Sequence, residues 1–307
     1  NMAKLAFLIS AHKDPVHLKR LVDSLPDGSE FFIHIDAKSD IRPFTERIDQ
    51  PNVHFIEHRV NVCWGSINEV EYQMELVRAA LAAGSFDYLV TLSGMDYPVW
   101  SNSRIMEFFD KANGKIFLQG ISMLHQGKLS QQYAKLRFFT DKPWANGTLL
   151  SKARNGLREA VAMLGVRKTL TIHCPDKEYT LYKGAAWWAI TPDLAHDVLN
   201  QWDNNEHLVG YFKTSFCPAE TFVQTVAFNS PKYADRCMLA QGRYKSLTAL
   251  TPLTFIDYST NIKILDEFDF DRITKSGKMF CRKVVTGESD LLMTLIDDAR
   301  KETGEEK

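Results

Sequence analysis

The chain has 307 residues, of which 45% are hydrophobic and 24% charged, a composition typical of a folded soluble protein. Its formal net charge of −1 argues against a nucleic-acid partner, because nucleic-acid binding rests on a basic surface that releases counterions. The apolar runs are too short to span a bilayer. We therefore expect a cytoplasmic protein, and peripheral association with the inner face of a membrane stays open.

The first hundred residues alternate strand-like and helix-like patterns, which is typical of a parallel sheet with helical crossovers. Buried strands are predicted at residues 4–10, 31–35, 53–56 and 88–92. Helices are predicted after the first strand and over residues 66–83. Ligands of open α/β sheets bind at the carboxyl ends of the strands. His12, Asp36 and Asp96 follow strand ends, so each is a candidate site residue, with a turn or cap as the alternative.

The second part of the chain has a less regular pattern. Residues 120–180 are rich in Gln, Lys and Arg and are interpreted as a variable insertion. A strand is predicted over residues 186–190, and a helix is predicted from Thr191 to about Trp202. Glu220 lies near the start of another apolar-periodic segment. The whole pattern predicts an α/β fold with a Rossmann-type sheet and helices on both faces.

Several common catalytic motifs are absent from the sequence. It contains no Walker A, G-x-G-x-x-G, G-x-S-x-G or H-E-x-x-H pattern, which disfavours a kinase, dehydrogenase, esterase or zinc hydrolase. The five cysteines are scattered without a C-x-x-C pair, so they are interpreted as reduced thiols.

Aromatic and basic residues are the remaining signals. Aromatic faces suit sugar binding, and adjacent cations suit a diphosphate. The candidates are Trp64, Trp187, Trp188, Tyr258 and the pair Arg282 and Lys283. Core packing is the alternative for the tryptophans, and a solvated surface is the alternative for the basic pair.

Seven segments, in order along residues 4–284, resemble one family. They are Ile9-Ser10-Ala11-His12-Lys13, His34-Ile35-Asp36-Ala37-Lys38, Val62-Cys63-Trp64-Gly65-Ser66, Leu92-Ser93-Gly94-Met95-Asp96-Tyr97-Pro98, Gly184-Ala185-Ala186-Trp187-Trp188, Cys217-Pro218-Ala219-Glu220 and Met279-Phe280-Cys281-Arg282-Lys283. The sequence is similar to glycosyltransferase family fourteen, the core-2/I-branching N-acetylglucosaminyltransferases and peptide O-xylosyltransferases. The Ser-Gly-Met-Asp-Tyr-Pro stretch is the most specific of the seven.

The resemblance implies a GT-A-like fold and an inverting transfer that needs no divalent metal. The family's catalytic glutamate lies in a Ser-Pro-Asp-Glu block, which assigns the base to Glu220 and places Ala219 where the family has aspartate. The family's Arg-Lys pair, which grips the donor diphosphate, corresponds to Arg282 and Lys283, and Lys263 is a further candidate cation.

The remaining assignments divide between donor and acceptor. On the donor side the resemblance suggests His12, Asp36, Trp64 and Asp96. On the acceptor side it suggests Lys135, Arg137, Trp187, Trp188 and Tyr258.

Metal independence also has a basis in the residues. Most GT-A enzymes hold a metal through a D-x-D motif, but here Lys38 stands where a second carboxylate would follow Asp36. The one D-x-D match, Asp269 to Asp271, precedes a helix-like segment and is interpreted as a cap and a solvated face. Two fixed cations can replace a divalent ion electrostatically.

The sequence hypothesis is a single domain of a bacterial member of the family. Residues 4–119 form its nucleotide-sugar-binding half, 120–285 its acceptor-side and catalytic half, and 286–307 a terminal helix and tail. The donor is UDP-N-acetylglucosamine or UDP-xylose, used as a co-substrate without a cofactor, and the acceptor is a saccharide or a lipid-linked glycan. Two alternatives stay open, a catalytically inactive sugar- or nucleotide-binding module and a nucleotide-sugar hydrolase.

Overall fold

The computed structural model of the chain describes residues 1–259 and 261–305. Its strands are β1 (Leu5–Ala11), β2 (Glu30–Ile35), β3 (Val53–Phe55), β4 (Tyr88–Ser93), β5 (Asp96–Pro98), β6 (Gln119–Ser122), β7 (Thr171–His173), β8 (Glu178–Thr180), β9 (Tyr182–Lys183), β10 (Ala189–Ile190), β11 (Met238–Leu239), β12 (Thr254–Ile256) and β13 (Phe280–Arg282). Its helices are α1 (Pro15–Ser24), α2 (Arg42–Arg47), α3 (Asn68–Ala83), α4 (Asn102–Asp110), α5 (Lys128–Tyr133), α6 (Leu149–Met163), α7 (Pro192–Asn204), α8 (Glu206–Phe212), α9 (Phe222–Phe228), α10 (Phe270–Lys275) and α11 (Asp290–Glu305).

The central sheet has the strand order β10-β4-β1-β2-β3. β4, β1, β2 and β3 are parallel, and β10 pairs antiparallel with β4 at one edge. β4 is buried along its whole length, as expected of a strand covered on both faces. The four strands predicted for the first hundred residues are confirmed, with ends that differ by one residue.

Helices cover both faces of this sheet. Side chains alternate between the faces of a strand, so Phe7 and Ile9 of β1 pack in one core with α1. Ala6 and Leu8 pack in the opposite core with α3. The predicted α/β class, with a Rossmann-type sheet and helices on both faces, is confirmed.

Two small sheets attach the second half of the chain to the first. β12 and β13 run parallel, and β13 pairs antiparallel with β5, which sets Arg282 directly opposite Asp96. The other small sheet joins β11, β6 and β9. Arg282, which lies near the carboxyl end of the chain, is thus placed beside β5, just beyond the end of β4.

The strand predicted over residues 186–190 is shorter in the structure. Only Ala189–Ile190 forms a strand. Several backbone groups of the preceding residues are hydrogen-bonded to side chains instead of to the backbone of a neighbouring strand. The Thr91 hydroxyl donates to the carbonyl of Ala186 and accepts from the amide of Trp188, and Gln224 donates to the carbonyl of Ala185. The segment is extended but lies outside the regular ladder.

The other predicted elements of the second half match more closely. α7 begins after Thr191, as predicted, and runs to Asn204. Residues 120–180 contain α5, α6 and the hairpin of β7 and β8. Most of the predicted tail belongs to α11, and residues 306 and 307 lie outside the described residues. Across the described ranges, none of the helices combines the length and the apolarity needed to cross a bilayer.

Candidate functional site

A cleft of about 420 Å³ opens at the carboxyl ends of β1, β2 and β4. Its other walls include residues within 217–220 and 247–258, Ile262, and residues 282–283 of the second half of the chain. The location agrees with the rule that open α/β sheets bind ligands beyond their strand ends. Eight of the thirteen residues predicted for the site line this cleft: His12, Asp36, Trp64, Trp187, Glu220, Tyr258, Arg282 and Lys283.

Glu220 is held in the cleft by an ion pair with Lys183. The Lys183 ammonium lies 2.5 Å from a carboxylate oxygen of Glu220, and it is almost fully buried. Burial alone would lower the pKa of Lys183, but the charges of Glu220 and Tyr133 and the hydrogen bonds to them together raise it. The ammonium therefore stays charged at neutral pH and fixes the orientation of the carboxylate.

The backbone around Glu220 is also fixed. Glu220 ends a short 3-10 turn, Pro218–Glu220, that follows Cys217 in a left-handed conformation. Its carbonyl accepts a hydrogen bond of 2.8 Å from the amide of Gly184, next to Lys183. Backbone and side chain of Glu220 are thus both tied to the end of β9.

Arg282 is anchored by Asp96 at the end of β4. Its Nε donates to a carboxylate oxygen of Asp96 at 3.0 Å, and Asp96 also accepts bonds from the amide and hydroxyl of Ser93. The guanidinium carbon lies 4.4 Å from the ring centre of Trp187. Asp96 is fully buried behind this pair, so it positions Arg282 and does not line the cleft.

Positive charge collects beside Arg282. Burial lowers the pKa of Lys283, and the neighbouring charges of Arg282 and Lys13 lower it further. Burial also lowers the pKa of His12, with Lys13 and Lys283 acting in the same direction. Arg282, Lys283 and Lys13 thus bring positive charge together at one wall of the cleft.

Asp36 is engaged by Lys38 in the neighbouring turn. The amide of Lys38 donates to Asp36 at 3.0 Å, and its ammonium lies 2.9 Å from the other carboxylate oxygen. Burial alone would raise the pKa of Asp36, but the hydrogen bonds from Lys38 and Val62 and the charge of Lys38 lower it. Lys38 itself lines the cleft and was not among the predicted site residues.

A third carboxylate of the cleft, Glu69, was missed by the sequence analysis. It lies in the first turn of α3 and accepts a bond of 2.6 Å from the amide of Gly65. Burial raises the pKa of Glu69 to about 7, opposed by that bond and assisted by the charge of Glu220. Its position next to the Trp-Gly-Ser segment was a usable signal. Lys183 was also missed, although it directly precedes the Gly184 to Trp188 block.

Five predicted residues lie elsewhere for identifiable reasons. Trp188 is only 1% exposed and packs in the core, because successive side chains of an extended segment point to opposite sides and Trp187 takes the cleft side. Lys135 pairs with Glu159 of α6 at 2.7 Å, and the guanidinium of Arg137 stacks on Phe216. These five are Asp96, Trp188, Lys135, Arg137 and Lys263.

Lys263 forms an ion pair with Asp269, the first carboxylate of the D-x-D match. Its ammonium lies 2.8 Å from Asp269, which also pairs with Arg272 and is almost fully buried. Burial alone would raise the pKa of Asp269, but the hydrogen bonds from Lys263, Asp266 and Arg272 lower it to about 2. Asp269 also belongs to the capping box of the turn before α10, as predicted, but the predicted solvated face holds for Asp271 and not for buried Asp269. Within residues 1–259 and 261–305, no three His, Cys, Asp or Glu side chains cluster as metal ligands.

The fold and the cleft define an α/β protein in which basic side chains and an anchored carboxylate line one pocket. Residues 5–259 match the family model of the Core-2/I-Branching enzyme, so the chain belongs to this family of glycosyltransferases. The predicted family is confirmed.

The chain is also similar to individual proteins. Xylosyltransferase sqv-6 of Caenorhabditis elegans is 23% identical over 254 residues, which cover 79% of this chain and 28% of the relative. Xylosyltransferase 2 of Rattus norvegicus is 23% identical over 240 residues, which cover 75% and 25%. The chain spans about a quarter of the length of these relatives.

Similarity to solved structures is weaker. The glucosyl-3-phosphoglycerate synthase of Mycobacterium tuberculosis, solved with Mn2+, UDP and glucosyl-3-phosphoglycerate, aligns with a TM-score of 0.33 and 10% identity. The alignment covers 81% of this chain and 75% of that one. Similarity at this level carries no functional argument.

Proposed function

We propose that the chain transfers a sugar from a UDP-sugar to a hydroxyl of a saccharide or glycan acceptor, by inversion and without a divalent metal. The observation that carries the proposal is the shared cleft, in which anchored Glu220 and the cations Arg282 and Lys283 line one pocket. Direct displacement needs one group to take the acceptor proton and others to stabilise the departing nucleotide. The cleft offers both kinds of group.

Each residue has a role in the proposed reaction. Glu220 accepts the proton of the attacking hydroxyl while that oxygen bonds to the anomeric carbon and the UDP oxygen leaves. Arg282 and Lys283 stabilise the negative charge on the leaving diphosphate, and each such donor contributes about 3 kcal/mol. Trp64 and Tyr258 are exposed rings at the cleft and suit contact with sugar faces.

The proposal divides the chain into two halves. Residues 4–119 hold the nucleotide through His12 and Asp36, and residues 120–285 supply Glu220 and the acceptor side. Xylose is the first donor sugar to test because both similar proteins described above are named xylosyltransferases. N-acetylglucosamine is the second.

One observation favours a second candidate, a binding module without activity. The Glu220 carboxylate already forms an ion pair with the Lys183 ammonium. A carboxylate held in an ion pair is a weaker base. Donor binding without transfer would be the result. The same cleft then serves as a nucleotide-sugar site.

The test is transfer by the parent protein and by Glu220→Gln. UDP-xylose and UDP-N-acetylglucosamine are offered with a panel of saccharide acceptors, and product, free sugar and product anomer are measured. We expect Glu220→Gln to lose a hundredfold or more in transfer, since general-base catalysis is worth about 10²–10⁴ in rate, while UDP binding is retained. Near-parental transfer by Glu220→Gln would show that Glu220 is not the general base.

Two results of the parent protein would favour the alternatives. UDP binding without transfer would indicate a binding module, and free sugar without acceptor product would indicate a hydrolase.

A further inference from the structure

The helix α6 presents an apolar face to solvent. Ser151 and Ala162 mark its buried side. On the opposite side, residues about two turns apart share a face, and Leu149, Leu157 and Leu164, just past the helix end, lie there. Leu149 is 83% exposed and Leu164 is 81% exposed. Leu150, Met163 and Val166 extend this exposed apolar face.

The segment that carries this face is strongly basic. Residues 135–168 contain eight Lys and Arg against two Asp and Glu, a formal net charge of +6, although burial lowers the pKa of Lys168 to about 7. The whole chain has a net charge of −1, so the rest of it carries −7. Lys142, Lys152 and Arg167 are exposed basic residues of the segment. The molecule therefore combines its apolar face with a concentration of positive charge.

We propose that the outward face of α6 docks on an anionic lipid surface. A helix with an apolar face and basic flanks lies in the membrane interface, where the apolar side chains enter the lipid and the cations attract acidic head groups. A second copy of the chain is a poorer partner, because an isologous contact would oppose two segments of charge +6. Nucleic acid is poorer too, since a phosphate backbone gives the leucines nothing apolar to contact.

Two hydrogen bonds connect α6, through residues 138–141, to a segment that lines the cleft. Arg158 of α6 donates to the carbonyl of Phe138 at 3.1 Å. Three residues further on, the carbonyl of Asp141 accepts a bond of 3.4 Å from the thiol of Cys63. Cys63 precedes Trp64, which lines the cleft. A docked α6 would hold the cleft near the lipid surface, so the acceptor would be a lipid-linked glycan, a consequence that rests on the proposed function.

The experiment measures co-sedimentation of the full chain with two kinds of vesicle, pure phosphatidylcholine and a mixture with phosphatidylglycerol. We expect binding to the mixture, weaker binding at high salt, and little binding to phosphatidylcholine alone. The double variant Leu157→Gln, Leu164→Gln should bind the mixed vesicles about tenfold more weakly or worse. The double variant Lys152→Gln, Arg167→Gln should lose a similar factor.

A matched control uses exposed leucines elsewhere. Leu291 and Leu295 of α11 are 63% and 41% exposed, and Leu291→Gln, Leu295→Gln should bind vesicles like the parent. Thermal unfolding checks that every variant is folded, and the exposure of the changed residues makes large losses unexpected.

Three results would overturn the docking proposal: no binding of the parent to mixed vesicles, equal binding to uncharged ones, or unchanged binding of both α6 variants. If the parent forms a dimer and the leucine variant does not, the face contacts a second copy of the chain, and the docking proposal is overturned as well. UDP binding is measured on the same samples. Lost vesicle binding with retained UDP binding confines the effect to docking, whereas a parent that binds vesicles but not UDP contradicts the proposed function alone.

Discussion

Arg282 and Lys283 are adjacent in sequence but differ in how much of the fold depends on them. Arg282 neutralises Asp96, which is fully buried, and stacks on Trp187. Removing one partner of a buried ion pair typically costs about 3–5 kcal/mol because the other charge is left unpaired. A loss of UDP binding in Arg282→Ala would therefore mix a binding effect with a stability effect.

Lys283→Ala is the cleaner test of the anion site. We expect UDP affinity to fall about tenfold to a hundredfold, since a hydrogen bond to a charged group contributes about 1.5–3 kcal/mol. The loss should shrink at high salt, because part of the attraction is screened. Calorimetric titration with UDP measures the affinity, and Lys275→Ala on exposed α10 is the control. Equal UDP affinity in Lys283→Ala and the parent would show that Lys283 does not contact the diphosphate.

Glu69 gives the protein a specific dependence of stability on pH. Its folded-state pKa of about 7 lies above the ordinary 4.5, so the folded protein binds a proton that the unfolded chain has already released. The stability from this group is complete below pH 4.5 and is lost as the pH rises through about 7. The loss corresponds to about 3 kcal/mol at 1.36 kcal/mol per pKa unit.

Glu69→Gln should remove this dependence. The glutamine oxygen can still accept the bond from Gly65, but the side chain does not ionise. The free energy of unfolding should therefore fall less between pH 5 and pH 8 in Glu69→Gln than in the parent, as measured by urea denaturation. Glu75→Gln on the same helix should follow the parent curve. Parallel curves for the parent and Glu69→Gln would mean that Glu69 has no raised pKa.

At the scale of elements, the sheet was predictable and the contacts between distant segments were not. Continuous apolar runs and polar strand ends identified β1, β2 and β4, and with them His12 and Asp36. Strand alternation would also have separated Trp187 from Trp188. The pairing of Lys183 with Glu220, and of Lys135 with Glu159, depends on how segments far apart in sequence pack together. No local pattern encodes those pairs.

Gly184 follows β9 and lies very close to β6, so a substitution there tests how closely the two strands approach. A Cβ atom at residue 184 would lie 2.1 Å from the carbonyl oxygen of Gln119 in β6, so the backbone would have to shift. The Gly184 amide also donates to Glu220. We expect Gly184→Ala to destabilise the protein by about 1–3 kcal/mol and to reduce transfer further than stability explains.

A glycine in open space provides the matched control for that change. Gly210 lies in α8 with nothing within 4 Å of an added Cβ, and Gly210→Ala should raise the melting temperature, since alanine favours a helix by about 0.5–1 kcal/mol. Thermal unfolding of both variants measures the contrast. A melting temperature of Gly184→Ala equal to the parent's would mean that β6 and β9 do not approach as closely as the structure indicates.

For the whole molecule, average properties were a poor guide to local surfaces. The net charge of −1 argues against a polyanion partner, yet it averages a segment of +6 with a remainder of −7. Eight of the predicted site residues line one cleft because the motifs of the family resemblance follow the strands that build it. The exposed face of α6 belongs to the insertion between those motifs, and none of the seven segments that carry the resemblance lies there.

The proposed metal independence depends on the neighbours of the carboxylates in and near the cleft, among which Glu69 has a backbone amide rather than a cation as its hydrogen-bond partner. Asp36 is paired with Lys38, Asp269 with Lys263 and Arg272, and Glu220 with Lys183. A divalent cation would have to displace an ammonium or guanidinium group at each of them, whereas Arg282 and Lys283 already supply positive charge where the diphosphate is proposed to bind.

We therefore expect UDP affinity and transfer to be unchanged by a strong chelator and by added Mn2+ or Mg2+. Transfer assays and UDP titrations make the comparison. Each is run on untreated protein, with the chelator, and with the chelator followed by excess metal. Because the diphosphate would be held by fixed cations, UDP affinity should instead fall as the salt concentration rises. Activity lost to the chelator and restored by Mn2+ would show that the cations at 282 and 283 do not replace a metal, and a carboxylate of the cleft would then have to exchange its ammonium partner for the ion.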